Sequence, residues 1–150
     1  MITKILIPID GSKVSQKAAK YAVELAKKTG ASVMLLSVID TRFIVSQAVS
    51  ASASPTHVRE SIEDYLKQSV QSSADELVKL CTKYRIRCKM AIRTGHPVEE
   101  IVSEAKKAKA DLIVMGSQGK SALRAAVLGS VTYGVMHKDS KIPVLIVRGR

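Results

Sequence analysis

Three glycines, Gly116, Gly119 and Gly129, with Ser130 and Thr132 close behind the last, fall within the stretch Asp111 to Thr132, which reads DLIVMGSQGKSALRAAVLGSVT. An apolar run from Leu112 to Met115 delivers the chain to Gly116, the layout of a strand feeding a glycine loop and then a helix. Backbone N–H groups in such a loop can surround a phosphate, and glycine lets them approach its oxygens without a Cβ in the way. Phosphate binding is therefore the chemistry to test first.

Two better-known phosphate loops do not fit. Gly119, Lys120 and Ser121 match the tail of a P-loop, but that motif needs a glycine where Val114 stands inside the apolar run. The dinucleotide fingerprint fails on the spacing of Gly116 and Gly119, and on its required place after the first strand. An aspartyl phosphate receiver could use Asp10 at the end of the first strand. It would also need neighbouring carboxylates for magnesium, and that strand carries Lys4 and Pro8 instead.

The elements that must position these residues alternate along the chain. Ile2 to Ile9 is rich in β-formers and ends at Pro8, Asp10 and Gly11. Ser12 is a suitable N-cap for a helix whose apolar face runs through Val14, Ala18, Tyr21, Ala22 and Leu25 and which Gly30 can end. Ser32 to Ile39 is a continuous apolar strand, as expected where both faces are covered. Asp40 to Ser54, small and polar without periodicity, reads as a loop.

Ser54 and Pro55 then start a long helix with Val58, Ile62, Tyr65, Leu66, Leu77, Leu80, Cys81 and Tyr84 on its buried side. Ile86 to Ile92, partly alternating with Arg87 and Lys89, suggests an edge strand. His96 caps or precedes a helix with Pro97 at its first position, Glu99 and Glu100 at its positive end and Lys106, Lys107 and Lys109 at its negative end. Leu112 to Met115 is the fourth strand, a last helix reaches about Lys138, and Ile142 to Arg148 is the fifth strand. Five strands with four helical crossings predict an α/β, doubly wound, three-layer sandwich around a parallel sheet. Ligands of such sheets sit at the carboxyl ends of the strands, where strand order reverses. Those ends are Asp10, Val38 to Asp40, and Met115 to Gly119.

Composition narrows the classes. With 150 residues, 46% hydrophobic and 25% charged, the chain fits one globular domain spanning 1–150. It contains no apolar run of membrane-spanning length and no signal-peptide pattern at its start, so a cytoplasmic location is the expectation. The net charge of +11 is greatest in the final third, which holds the glycine loop, and it favours polyanions in general. Four tyrosines, one phenylalanine and no tryptophan provide no stacking platforms, which counts against nucleic acid. Cys81 and Cys88 fit neither a redox pair nor a zinc site by spacing and read as buried thiols; His57, His96 and His137 are scattered, and no metal site is expected.

The residues also resemble a known family. Gly116, two residues, Gly119, nine residues, then Gly129 and Ser130 is similar to the ATP-binding signature of the universal stress protein family. The likeness spans the chain through KILIPIDGS, TGHPVEEIV, ADLIVMGSQG and GSVTYGVMHKDSKIPVLIVR. It implies an adenine nucleotide alpha hydrolase-like (Rossmann-like) fold that binds ATP, with or without Mg2+. It also implies that Pro8, Asp10 and Val38 meet adenine and ribose, and that Met115, Gly116, Gly119, Gly129, Ser130, Val131 and Thr132 hold ribose and phosphates. Lys120 and Arg124 are close enough in sequence to add charge. Position 118 is Gln where many members carry histidine or arginine.

The strand Pro143 to Arg148 is apolar and reads as an edge whose unpaired backbone another chain could complete, and the resemblance further implies a homodimer through it. No residue stands out as a general base or a magnesium cage, so the expectation is a nucleotide-responsive stress-response or signalling module with at most slow ATP hydrolysis. The alternatives are the same fold as a protein-interaction module that binds no nucleotide and docks an acidic partner on its basic face, or a slow ATPase.

Overall fold

The computed structural model describes residues 1–49, 55–118, 128–138 and 141–149. Its elements follow the expected alternation: β1 Lys4–Pro8, α1 Lys13–Thr29, β2 Ser32–Asp40, α2 Thr41–Val49, α3 Pro55–Lys83, β3 Cys88–Gly95, α4 Pro97–Lys107, β4 Leu112–Gly116, α5 Ser130–His137 and β5 Val144–Val147. All pairings are parallel, in the order β3-β2-β1-β4-β5. The central strands are buried on both faces: Ile5, Leu6, Ile7 and Val114 have no exposed surface, which explains their unbroken apolar runs. β3 and β5 are the two edges, as the half-polar third strand and the position of the fifth suggest.

Two core layers enclose the sheet. Ile5, Ile7, Val33 and Leu35 pack against Ala19, Ala22 and Val23 of α1 and Ala74, Leu77 and Cys81 of α3. On the other face Leu6, Leu36, Ile113 and Met115 pack against Ile101, Val102 and Ala105 of α4 and Val135 of α5. The stripe α1 buries is Ala18, Ala19, Ala22, Val23 and Ala26, whose small side chains let the helix lie close to the sheet; Tyr21 is 53% exposed, and so falls outside the face assigned to it. Tyr65, assigned to the buried side of α3, is likewise exposed at 71%. In each case the large ring with its polar hydroxyl stays in water.

Helix ends explain two further differences. α3 and α4 both end without glycine: Arg85 and Lys109 take φ 56° and 54°, in the left-handed region. Ile86 N–H donates to the Cys81 carbonyl (2.9 Å) and Arg85 N–H to that of Thr82 (3.0 Å), and Ala110 and Lys109 repeat the pattern with Ala105 (2.9 Å) and Lys106 (3.1 Å). This is the paired 6→1 and 5→2 closure of a helix end. It occupies residues 84–87, so β3 begins at Cys88 instead of Ile86. The second difference is α2. The segment expected as a loop from Asp40 to Ser54 is helical over Thr41–Val49, its start fixed by the Arg42 N–H donating to Asp40 Oδ1 at 2.9 Å and its inner side held by the fully buried Ile44. Residues 50–54 lie outside the described part.

Long-range polar ties hold the sheet seams. Asp111 Oδ2, just before β4, accepts from Thr3 N–H (2.8 Å), Thr3 Oγ1 (2.7 Å) and Lys4 N–H (3.0 Å) at the start of β1. These donors hold its carboxyl below the ordinary carboxylate range, so the tie contributes stability above that range and loses it as pH falls through the lowered value. Arg93 Nε of β3 donates to Glu104 Oε1 of α4 at 2.8 Å. Lys138, following α5, pairs with Glu99 of α4 and lowers the carboxyl's pKa from its ordinary value. No described helix is long and apolar enough to cross a membrane.

Candidate functional site

Strand order reverses between β1 and β4, so a crevice opens where their carboxyl ends part. The register Ile5 with Leu112 and Leu6 with Ile113 brings Pro8 and Met115 to that end together. Beyond Pro8, Ile9 N–H donates to the Leu36 carbonyl at 2.8 Å, and the chain turns through Gly11 at φ 81°, a conformation glycine adopts without strain. Asp10 Oδ1 accepts from Ser12 N–H (2.9 Å), the Ser15 hydroxyl accepts from Asp10 N–H (3.1 Å), and Ser12 Oγ accepts from Ser15 N–H (3.1 Å) as the N-cap of α1. The part-buried Asp10 is thus fixed in orientation by its own turn.

On the β4 side the chain leaves through Gly116 and the buried Ser117. A Cβ on Gly116 would stand 2.7 Å from Val14 Cγ1 and 3.2 Å from both the carbonyl carbon and oxygen of Val14. The bare backbone here is required by the first turn of α1 crossing behind it, a packing reason that stands beside the phosphate approach expected from the sequence. Gly116 and Ser117 then anchor the start of α5: Thr132 Oγ1 donates to the Gly116 carbonyl at 2.8 Å, and Gly129 N–H donates to the Ser117 carbonyl at 2.7 Å. Ser117 N–H donates to the Val147 carbonyl of β5 at 2.9 Å.

Gly129 is the N-cap of α5 and, having no side chain, makes no side-chain cap. The first intrahelical bond is Tyr133 N–H to the Gly129 carbonyl at 2.9 Å, so the N–H groups of Ser130, Val131 and Thr132 precede the ladder at the positive end of the helix. Ser130 is exposed there and Val131 is half-buried.

The remaining candidates divide by where their side chains go. Val38, paired with Arg93, and Val131 pack against the α4/α5 core layer, and Met115, 4% exposed, belongs to it. These three can meet a ligand only from the backbone or the rim. Thr132 is buried with its hydroxyl committed to donating to Gly116, so its first role is to hold the start of α5. Thr132→Val removes that bond at nearly constant volume, and urea unfolding is expected to show a loss of about 1–2 kcal/mol that Thr132→Ser largely restores. Gly119, Lys120 and Arg124 lie outside the described residues.

Some neighbours were not foreseen. Ile9, Asp10, Gly11 and Ser37 face Ser69, Val70 and Ser73 of α3 across a recess with room for about one water. The hydroxyl-rich run Gln68 to Ser73 in the middle of α3 was the available signal. At the end of β2, Arg42 binds Asp40 through two bonds, Nε to Oδ1 (3.1 Å) and Nη2 to Oδ2 (2.9 Å), which hold the Asp40 carboxyl below its ordinary range against the opposing effect of burial. His96 sits at the N-cap of α4, exposed and without a side-chain capping bond. Among the described residues no three or more His, Cys, Asp or Glu side chains gather as metal ligands. The site therefore offers backbone donors for an anion on one side of the crevice and a fixed carboxylate acceptor on the other.

Residues 1–148 match the model of the universal stress protein family. The chain is 39% identical over 145 residues, 97% of its own length and 81% of the relative's, to universal stress protein MJ0531 of Methanocaldococcus jannaschii. Its fold superposes on that of MJ0577 from the same organism with a TM-score of 0.86 at 33% identity, covering 100% of this chain and 98% of the other. A universal stress protein family protein of Arabidopsis thaliana, solved with AMP bound, shares the fold at a TM-score of 0.65 and 21% identity, over 97% and 90% of the two chains.

Proposed function

The chain belongs to the universal stress protein family, and on that premise we propose that it binds an adenine nucleotide, ATP with or without Mg2+, in the crevice between β1 and β4. It acts in this reading as a single-domain, homodimeric stress-response or signalling module. The observation that carries it is the pair of bonds by which Gly116 and Ser117 hold the start of α5, aligning the leading N–H groups of that helix at the strand-order reversal. Asp10 accepts from the ribose hydroxyls, Pro8 and Val38 flank the adenine, and Met115, Gly116, Gly119, Gly129, Ser130, Val131 and Thr132 line the ribose and phosphates. The Arabidopsis relative with AMP bound supports the adenine class. The edge strand β5, within Pro143 to Arg148, offers unpaired backbone to a second copy. Any hydrolysis is slow.

Equilibrium titration with ATP tests the site. Asp10→Asn keeps an oxygen for Ser12 N–H while removing the charge, and Gly119→Val blocks the loop. Each is expected to weaken binding roughly 10- to 100-fold, about 1.4–2.8 kcal/mol. Undiminished affinity in both variants would sink the assignment. A folded wild-type chain that retains no nucleotide on purification and binds none at millimolar ATP would favour the interaction module without nucleotide.

A further inference from the structure

α1 and α3 lie on one face of the sheet and both run back from its carboxyl end, so their last turns stand at the opposite end from the crevice between β1 and β4. Between them is a groove of about 490 Å³. Its floor is apolar: Leu77 is fully buried, and Leu80 and Tyr84 are half-buried. Its rim is cationic. Lys79 and Lys83 stand exposed along α3 and Lys20 along α1, and Lys27 of α1 reaches over the Tyr84 ring, its Nζ 4.2 Å from the ring centre with Lys83 Nζ at 5.8 Å. The acids lining the groove are Glu24 and Glu76, and Glu76 meets Lys20 of the other helix at 3.8 Å, with both side chains more than half exposed. A pair so open to water contributes little and gives way readily to a better partner. Lys28, Arg85 and Arg87, all exposed, extend the positive charge around the last turns of the two helices.

We propose that this groove is the docking site for an acidic, amphipathic segment of a partner protein, laid between α1 and α3 with apolar side chains on the floor and carboxylates on the rim. Charge complementarity selects the occupant. Carboxylates of the segment meet Lys20, Lys79 and Lys83, and the net charge of +11 steers an acidic partner toward the molecule as a whole. The floor selects against nucleic acid, because phosphates leave Leu80 without a partner and two lysine ammonium groups already cover the Tyr84 ring on which a base would have to stack. It also lies below its rim, where an inserted leucine or phenylalanine reaches Leu80 and the flat surface of a bilayer does not. Docking here leaves the crevice free, so it neither requires nor blocks a nucleotide there.

The test is an amide-shift titration of the full-length, isotope-labelled protein, free of nucleotide, with an acetylated and amidated helical peptide of glutamates carrying leucines at i, i+3, i+4 and i+7. Expected are shifts confined to α1, α3 and the turn at Arg85, and an affinity that falls several-fold from about 50 to about 300 mM NaCl. Lys79→Glu combined with Lys83→Glu, both at exposed positions, is expected to weaken binding roughly tenfold or more while amide signals elsewhere stay as in the wild type. Serines in place of the peptide's leucines should weaken it as well, by emptying the floor. Shifts that are absent at millimolar peptide or fall elsewhere on the molecule, undiminished affinity in the lysine variant, or equal binding of the serine peptide would overturn the proposal. So would a stronger effect on the same residues from phosphatidylserine vesicles or single-stranded DNA, which would make the groove a lipid or nucleic-acid site.

Discussion

Replacing Gly116 with alanine is expected to destabilise the fold by about 1–3 kcal/mol, read as a lower midpoint in urea unfolding. The added methyl lands 2.7 Å from Val14 Cγ1 and 3.2 Å from two backbone atoms of Val14. Valine is stiff at χ1 and sits in the first turn of α1, whose backbone is fixed by the Ser12 cap, so neither neighbour yields cheaply. Because the Gly116 carbonyl also receives the Thr132 hydroxyl, any shift of β4 is passed to the start of α5, and ATP binding should fall with stability. Gly134→Ala is the comparison. Its methyl would meet only the Val98 side chain, Cγ2 at 2.6 Å, and lies within a helix where alanine gains about 1 kcal/mol over glycine, so the net change should be smaller. Equal stability of Gly116→Ala and wild type would show that Val14 does not constrain this position.

Arg93→Ala should cost about 2–3 kcal/mol, below the roughly 3–5 kcal/mol of breaking a fully buried pair because the arginine side chain is itself 44% exposed. Its partner Glu104 is the sensitive member, with a side chain only 6% exposed on a helix face shared with Ile101, Val102 and Ala105. Removing the guanidinium leaves a carboxylate in that setting without its 2.8 Å donor. Glu104→Leu, which removes the charge that needs compensating, should cost less, and the double variant should recover most of the loss of Arg93→Ala. Strictly additive effects in such a cycle would mean the two side chains act independently.

How much could be read from the residues follows from the range of the forces involved. Alternating apolar runs and glycine punctuation are local, so all five strands, the edge character of β3 and β5, the Ser12 cap, Gly30 as a stop and Pro97 at the start of α4 were legible. α2 was not, because Ile44 is its one fully buried described side chain and a single anchor produces no periodicity. The ends of α3 and α4 were obscured because Arg85 and Lys109 adopt a conformation that usually announces itself as glycine.

The site divides in the same way. Gly116 and Thr132 stand out in the sequence as expected site positions, but their interactions with Val14 and with each other depend on partners brought close by the fold.

The Asp111 tie has a consequence for the order in which the sheet closes. Lys4 meets Ser32 across a single helix, whereas Thr3 reaches Asp111 across 108 residues of chain. Loop closure makes the nearer pairing the faster one, so β1 is expected to pair with β2 before it pairs with β4. The register of β1 with β4 spans two residue pairs, against five with β2, and Asp111 latches its far end with three bonds. The seam that opens into the crevice is then the later of the two seams of β1 to form in folding. A ligand that bridged its two sides would slow its reopening more than that of any other part of the sheet.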